Sequence, residues 1–261
     1  VDVIKVTPDE FPTISILFEA IKNNKPLFGL SKEKIKVTEN GESCEIVSLK
    51  EISDNYPVNI SLIIDHSGSM RIDAAQLYDT LTGKYLLSYE IKDGKLLEKY
   101  PEGYVQPIEN AKKAVKEFIA TINNERDSIQ IIDFSTLVDI QSSFSNNKEY
   151  LGSWIDSMKA DFSTAFLDAI NVSLDSIKKH SGIKVIVALS DGMDNSSHVS
   201  LENIIKKAKE LKIPIYTIGL GNVDIKFLTE ISKSTGGAFY YTRNSNSLDI
   251  IYREIQKRIQ D

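Results

Sequence analysis

The stretch that most constrains the fold is Val58 to Met70, V-N-I-S-L-I-I-D-H-S-G-S-M. Val58, Ile60, Leu62, Ile63 and Ile64 read as a strand buried on both faces, the pattern required inside a parallel sheet. The apolar run stops at Asp65. Ser67 and Ser69 follow at alternate positions, and each of the three offers a hard oxygen. Ligands in open α/β sheets gather at the carboxyl ends of strands. An aspartate and two hydroxyls there begin a plausible Mg²⁺ site, because that ion prefers oxygen donors in octahedral geometry and keeps some of its water. Asp-x-Ser also begins helices, since short oxygen side chains cap free N–H groups. This stretch alone leaves both readings open.

The remainder of the chain alternates strand and helix patterns. Pro107 suits a first helical turn, and Ala111, Ala114, Val115, Phe118, Ile119 and Ile122 follow at helical spacing. Asp127–Phe134 reads as a second buried strand, and Leu137–Phe144 as a third, more alternating one near an edge. Helices are expected over Lys148–Met158 and Thr164–Lys179, with a loop at Asp161–Thr164 between them. Ile183–Leu189 is a fourth strand, ending at Ser190-Asp191-Gly192. Helix Leu201–Leu211, strand Ile213–Ile218, helix Asp224–Ser234, strand Ala238–Thr242 and helix Ser247–Gln260 complete the series. Such alternation implies a doubly wound α/β fold, with a mostly parallel six-stranded sheet flanked by helices.

Two regions stand outside that series. Residues 1–53 have β character: Thr13–Phe18 and Lys34–Thr38 alternate, Asn40-Gly41 signals a hairpin turn, and Glu45–Leu49 would be the returning strand. This small all-β segment amounts to a half-sandwich, and Asp54–Pro57 reads as a linker to the main domain, 57–261. Residues 71–106 lack a core pattern and read as an insertion directly after the Asp65 turn. Lys92-Asp93-Gly94 suggests a hairpin there, and Tyr78, Tyr85, Tyr89, Tyr100 and Tyr104 form either a binding surface or the insertion's own small core.

Three separated segments therefore offer oxygen ligands where loops meet the sheet: Asp65-x-Ser67-x-Ser69, Thr164 and Asp191-Gly192. In these segments the chain resembles the von Willebrand factor type A (VWA) family, whose Rossmann-like fold carries a metal-ion-dependent adhesion site (MIDAS). The resemblance rests on D-H-S-G-S-M, S-T-A-F-L-D-A-I and A-L-S-D-G-M-D-N, and it spans about Pro57 to Gln260. It implies that Asp65, Ser67 and Ser69 form the first loop of a metal site, Thr164 the second and Asp191 the third. It also implies Mg²⁺ as the ion, with Mn²⁺ or Ca²⁺ as alternatives. Two features depart from the family. Phe162-Ser163 stands where glycines are common, and the insertion at 71–106 adjoins the first loop.

Few carboxylates and several neutral hydroxyls would leave a dication under-neutralised and able to accept an acidic oxygen from a partner. The expected function is thus metal-dependent capture of a protein or extracellular-matrix ligand through its acidic side chain. The alternative is a structural subunit of a bacterial envelope or assembly complex, docking through the tyrosine-rich insertion. The resemblance implies an extracellular, cell-surface or periplasmic location. No signal peptide is visible at Val1, and no apolar run reaches the length of a membrane span.

Other chemistries find little support. The formal net charge of −6 argues against a broad nucleic-acid footprint. Cys44, the single cysteine, excludes an internal disulfide and a Cys-rich zinc site. Asp65 and Asp191 lack the apolar pocket of a glycosidase acid/base pair. Ser67 lacks the G-x-S-x-G turn of hydrolases, and no phosphate loop is present. Gly219-Leu220-Gly221 lacks the third glycine of a dinucleotide fingerprint. His66 and His198 read as solvated residues, and Asp133, Asp161 and Asp194 as caps or sources of negative potential. A hydrolase using the metal to activate water would need a general base that the sequence does not offer.

Overall fold

The computed structural model describes residues 1–10, 12–22, 25–26, 29–49, 57–72, 77–121, 125, 127–160, 163–191, 193–243 and 245–260. The chain divides into two compact units, Val1–Tyr56 and Pro57–Asp261. The boundary at Ser53, the linker residues Asp54 to Tyr56, Ile122, Asp161, Phe162 and Gly192 lie outside the described residues.

The first unit consists of short antiparallel pairs. Strand β1 (Asp2–Glu10) pairs with β2 (Thr13–Glu19), β3 (Ile21–Lys22) with β4 (Lys25–Pro26), and β5 (Val37–Glu39) with β6 (Glu42–Cys44). Lys32–Lys34 is a 3₁₀ turn rather than the start of a strand. The returning strand is Glu42–Cys44, not Glu45–Leu49. Asn40 and Gly41 both take positive φ, 51° and 89°, so the turn closes in two residues and pairing resumes at once between Glu39 and Glu42.

The second unit contains, in chain order, β7 (Val58–Asp65), β8 (Tyr78–Asp79), β9 (Lys84–Tyr85), β10 (Ser88–Lys92), β11 (Lys95–Lys99), α1 (Pro107–Thr121), β12 (Ser128–Phe134), β13 (Val138–Ile140), α2 (Lys148–Ser157), α3 (Phe166–Ile177), β14 (Ile183–Ser190), α4 (Leu201–Leu211), β15 (Ile215–Leu220), α5 (Ile225–Thr235), β16 (Phe239–Thr242) and α6 (Leu248–Gln260). Its main sheet has six strands in the order β13-β12-β7-β14-β15-β16. All neighbours are parallel except β12 and β13. The chain moves outward from β7 to one side through β12 and to the other through β14. The gap between β7 and β14 is therefore the topological switch point, where ligands bind in open sheets.

The alternation along β7 explains the two layers. Ile60, Leu62 and Ile64 pack with apolar residues of α1, α2 and α6. Ile63, on the opposite face, packs with those of α3, α4 and α5. All four are buried, and each contributes roughly 1.5–3 kcal/mol of burial. Two strands differ from the sequence reading. β13 is short because Ser142 replaces the ladder with its side chain: its hydroxyl takes the Ile131 N–H at 2.8 Å. β15 starts at Ile215 because Pro214 has no N–H to give.

The insertion forms two hairpins of its own, β8–β9 and β10–β11, separate from the main sheet. Asp93 and Gly94 take positive φ, 51° and 73°, and turn β10 into β11 where Asp-Gly predicts it. Four of its tyrosines serve one another. Tyr78 and Tyr85 meet edge to face at 5.3 Å, and Tyr100 and Tyr104 stack at 5.0 Å. Tyr89 remains exposed.

Candidate metal centre

Asp65 is the last residue of β7 and is fully buried. One carboxylate oxygen accepts the Ser67 N–H at 2.8 Å, and the other accepts the Ser190 hydroxyl at 2.7 Å. Ser190 ends β14, so this bond closes the switch point side to side. The chain then enters a 3₁₀ turn, Gly68–Arg71, in which the Met70 N–H donates to the Ser67 carbonyl at 3.0 Å. Met70 is fully buried in the α1 layer and anchors the turn from below. Ser67 is buried, and its Oγ lies 3.1 Å from that of Ser69. Ser69 reaches outward and donates to Asp191 at 2.7 Å. Four of the five expected residues are thus joined by direct hydrogen bonds.

Thr164 joins by its backbone. Its N–H donates to the Asn195 side chain, and its carbonyl accepts the Asn195 and Ser196 N–H groups, all at 3.1 Å. No bond from its hydroxyl to the other four is present among the described residues. Its position is fixed by an unusual helix start. Ala165, at the head of α3, has no side chain that can cap. Asp194 instead accepts the Leu167 N–H at 3.0 Å, and the Ser197 hydroxyl accepts the Asp168 N–H at 3.1 Å. Asp168 returns the contact by accepting the His198 and Val199 N–H groups and pairing with the His198 ring at 2.9 Å. The second and third loops are therefore one cross-linked unit.

The sequence alone does not bring Ser190, Asn195, Ser197 and Asp168 to the site, and it offers Asp194 only as a cap or a source of negative potential. The available signal was a pair of facts. The run Asp194–His198 is rich in short polar side chains, and α3 begins without a cap of its own. The histidines are engaged away from the four linked residues. The His66 ring donates from Nδ1 to the Lys159 carbonyl at 2.9 Å, and Nε2 stands 4.0 Å from Asp133.

Electrostatics favour a cation here. Burial pushes the Asp65 carboxyl up, against the pull of the Ser67 and Ser190 hydroxyls. Asp191 is raised as well, first by burial and then by the negative charge of Asp65. Among the described residues neither carboxylate has a Lys, Arg or His within ion-pair distance. No cluster of three or more His, Cys, Asp or Glu side chains suited to a metal occurs among the described residues. The available donors are two carboxylates and neutral hydroxyls, all hard oxygen. That set fits an oxygen-preferring dication.

Comparison with known proteins agrees with the fold. The family model of the von Willebrand factor type A domain matches residues 104–254, and the chain belongs to that family. The matched span begins at residue 104, in the last residues of the insertion, so it holds Thr164 and Asp191 but not the Asp65 turn. The structure nevertheless places β7 at the centre of the same sheet.

An uncharacterized protein of Borreliella burgdorferi is 25% identical over 178 residues, covering 58% of this chain and 52% of that protein. A von Willebrand factor type A structure from Catenulispora acidiphila superposes with a TM-score of 0.60 at 17% identity, over 78% of this chain and 43% of that one. Proximal thread matrix protein 1 of the mussel byssus, in a structure with a zinc-occupied MIDAS motif, gives a TM-score of 0.58 at 18% identity, over 78% of this chain and 46% of that one. The chain thus spans about half the length of each of these relatives. No described helix is long and apolar enough to cross a membrane.

Proposed function

We propose that Asp65, Ser67, Ser69, Thr164 and Asp191 hold a divalent cation, Mg²⁺ in the first instance, and that the domain uses it to capture an acidic side chain of a protein or matrix ligand. Mn²⁺ and Ca²⁺ are the alternative ions, and the proposed setting is extracellular, at the cell surface or in the periplasm. The observation that carries this reading is the pair of raised, unneutralised carboxylates bridged by serine hydroxyls at the switch point. Two carboxylates with neutral donors leave a bound dication enough positive character to take a further acidic oxygen. The chain's own residues supply the rigidity. Ser190 and the Ser67 N–H hold Asp65, while Asp194, Asn195 and Ser197 hold the Thr164 loop. The zinc-occupied site of the byssus protein supports the reading by analogy of fold.

Mg²⁺ or Mn²⁺ is expected to raise the melting temperature. At a hundredfold excess over Kd the stabilisation is about 2.7 kcal/mol. Asp65→Ala should abolish that rise, and an equal rise in the variant refutes the assignment.

A second reading has its own observation. In the register of β10 and β11, Tyr89, Ile91 and Leu96 share one face, with exposures of 58%, 78% and 68%. On this reading the insertion docks the domain to a fixed protein partner and the metal is structural. Replacing residues 78–104 by a short Gly-Ser link separates the two: partner capture that survives and still needs metal supports the first reading.

A further inference from the structure

A cavity of about 280 Å³ lies beside the first loop of the metal centre. Pockets for whole drug-sized ligands run from about 300 to 1,000 Å³, so this one suits a single side chain or a short run of methylenes. Arg71, two residues beyond Ser69, lines it, as do the start of α1 and the segment Met158–Ala160. Ile108 and Met158 are buried and give it apolar surface.

The charges around it are uneven. Arg71, Lys112 and Lys159 face Glu109 and Asp156. Both acids are already committed: Glu109 pairs with Lys112 at 2.7 Å, and Asp156 pairs with Lys116. Arg71 pairs with Glu98 at 3.4 Å. Lys159 has no carboxylate within ion-pair distance among the described residues. Its backbone is not adrift, because its carbonyl accepts the ring of His66, the residue after Asp65. Lys159 thus brings an uncommitted ammonium to the wall of a cavity that also holds Ile108 and Met158, and its backbone is bonded to the first metal loop.

We propose that this cavity is a second carboxylate subsite. A partner segment that offers one acid to the metal centre offers a second to Lys159, and the apolar stem between them lies on Ile108 and Met158. This rests on the metal-centre reading given above. The partner class is thereby narrowed from any exposed acid to a segment carrying two acids in close succession. Such a determinant recruits a charge-assisted contact beside the first one.

The test uses linear dicarboxylates from succinate to suberate, each beside the monocarboxylate of equal carbon number, titrated calorimetrically into the Mg²⁺-loaded protein. At least one dicarboxylate should bind about tenfold more tightly than its monocarboxylate. Lys159→Glu should erase that gain, and Lys159→Gln should reduce it, while both variants keep the Mg²⁺-induced rise in melting temperature. The subsite is overturned if no dicarboxylate surpasses its monocarboxylate in the wild type, or if the gain persists in Lys159→Glu. In either case an intact Mg²⁺ rise leaves the metal centre standing. Absence of the rise in the wild type overturns both.

Discussion

The loops at the end of the main sheet and the insertion between β7 and α1 are neighbours in sequence but are held together by opposite means. In the loops, the deepest polar groups, Asp65, Ser67, Thr164 and Ser190, are buried, and the bonds that link the loops come from far along the chain. Asp65 and Ser190 are 125 residues apart, and Ser69 and Asp191 are 122 apart. In the insertion, contacts are local and largely exposed: Tyr78 with Tyr85, Tyr100 with Tyr104, and the Tyr100 hydroxyl with Glu98. The loops therefore depend on the whole sheet being assembled, whereas the hairpins need only their own turns. A change that breaks the first region should cost stability, and a change on the exposed face of the second should cost little.

The strongest test of that contrast is truncation on each side. Phe166 begins α3, is almost fully buried, and meets the rings of Phe134 and Phe227 at 5.8 and 6.2 Å. Phe166→Ala should cost about 3–5 kcal/mol in urea denaturation, through lost burial and the cavity left behind. Ile91 is 78% exposed on β10. Ile91→Ala should change stability by less than about 0.5 kcal/mol. Comparable losses in the two variants would show that the hairpin is a structural part of the domain.

The next largest effect isolates the cross-linked loops. Asp194→Ala removes the acceptor for both Leu167 N–H and Ser197 N–H. A lost N-cap costs roughly 0.5–2 kcal/mol, and the upper part of that range is expected because two donors are orphaned. Hydrogen exchange should quicken at Leu167 and Ser197 but not in β10 or β11. Protection unchanged at those amides would mean that another group caps α3.

The same contrast explains what the sequence discloses. β7, β12 and β14 are legible because long apolar runs admit few alternatives, and the Asp65 and Asp191 turns stand out because each follows such a run, whereas Thr164 lies in a loop ahead of α3. The trans cap on α3 is not, because nothing local pairs Asp194 with Leu167 across 27 residues. The turns at Asn40-Gly41 and Asp93-Gly94 are legible from two residues each. The strands they join are less so, since their ends depend on pairing rather than on pattern. That is why the β6 register falls three residues before the expected one.

A pH titration sharpens the loop side further. Burial raises the Asp168 carboxyl, but bonds from the His198 ring and from the His198 and Val199 N–H groups outweigh it and hold the group below its ordinary 3.8. A carboxyl depressed in the folded state stabilises fully above its unfolded value and loses that contribution as pH falls through its folded value. The stability gap between wild type and Asp168→Asn should therefore be constant from neutrality down to about pH 3.8 and narrow below it. A gap that already closes between pH 6 and 5 would assign the effect to a different group.

The smallest effect belongs to the seam between the two regions. Arg71 ends the 3₁₀ turn that carries Ser69, and it lies 3.4 Å from Glu98 of β11. Both side chains retain exposure, so the pair is worth about 0.2–1 kcal/mol and weakens as salt screens it. Glu98→Gln should lower stability by no more than that and only at low ionic strength. The Tyr100 hydroxyl, which donates to Glu98, keeps an acceptor in the amide oxygen. If Glu98→Gln nevertheless alters the Mg²⁺-induced rise in melting temperature, the hairpin is coupled to the Ser69 turn. An unchanged rise means that the hairpin and the Ser69 turn are uncoupled.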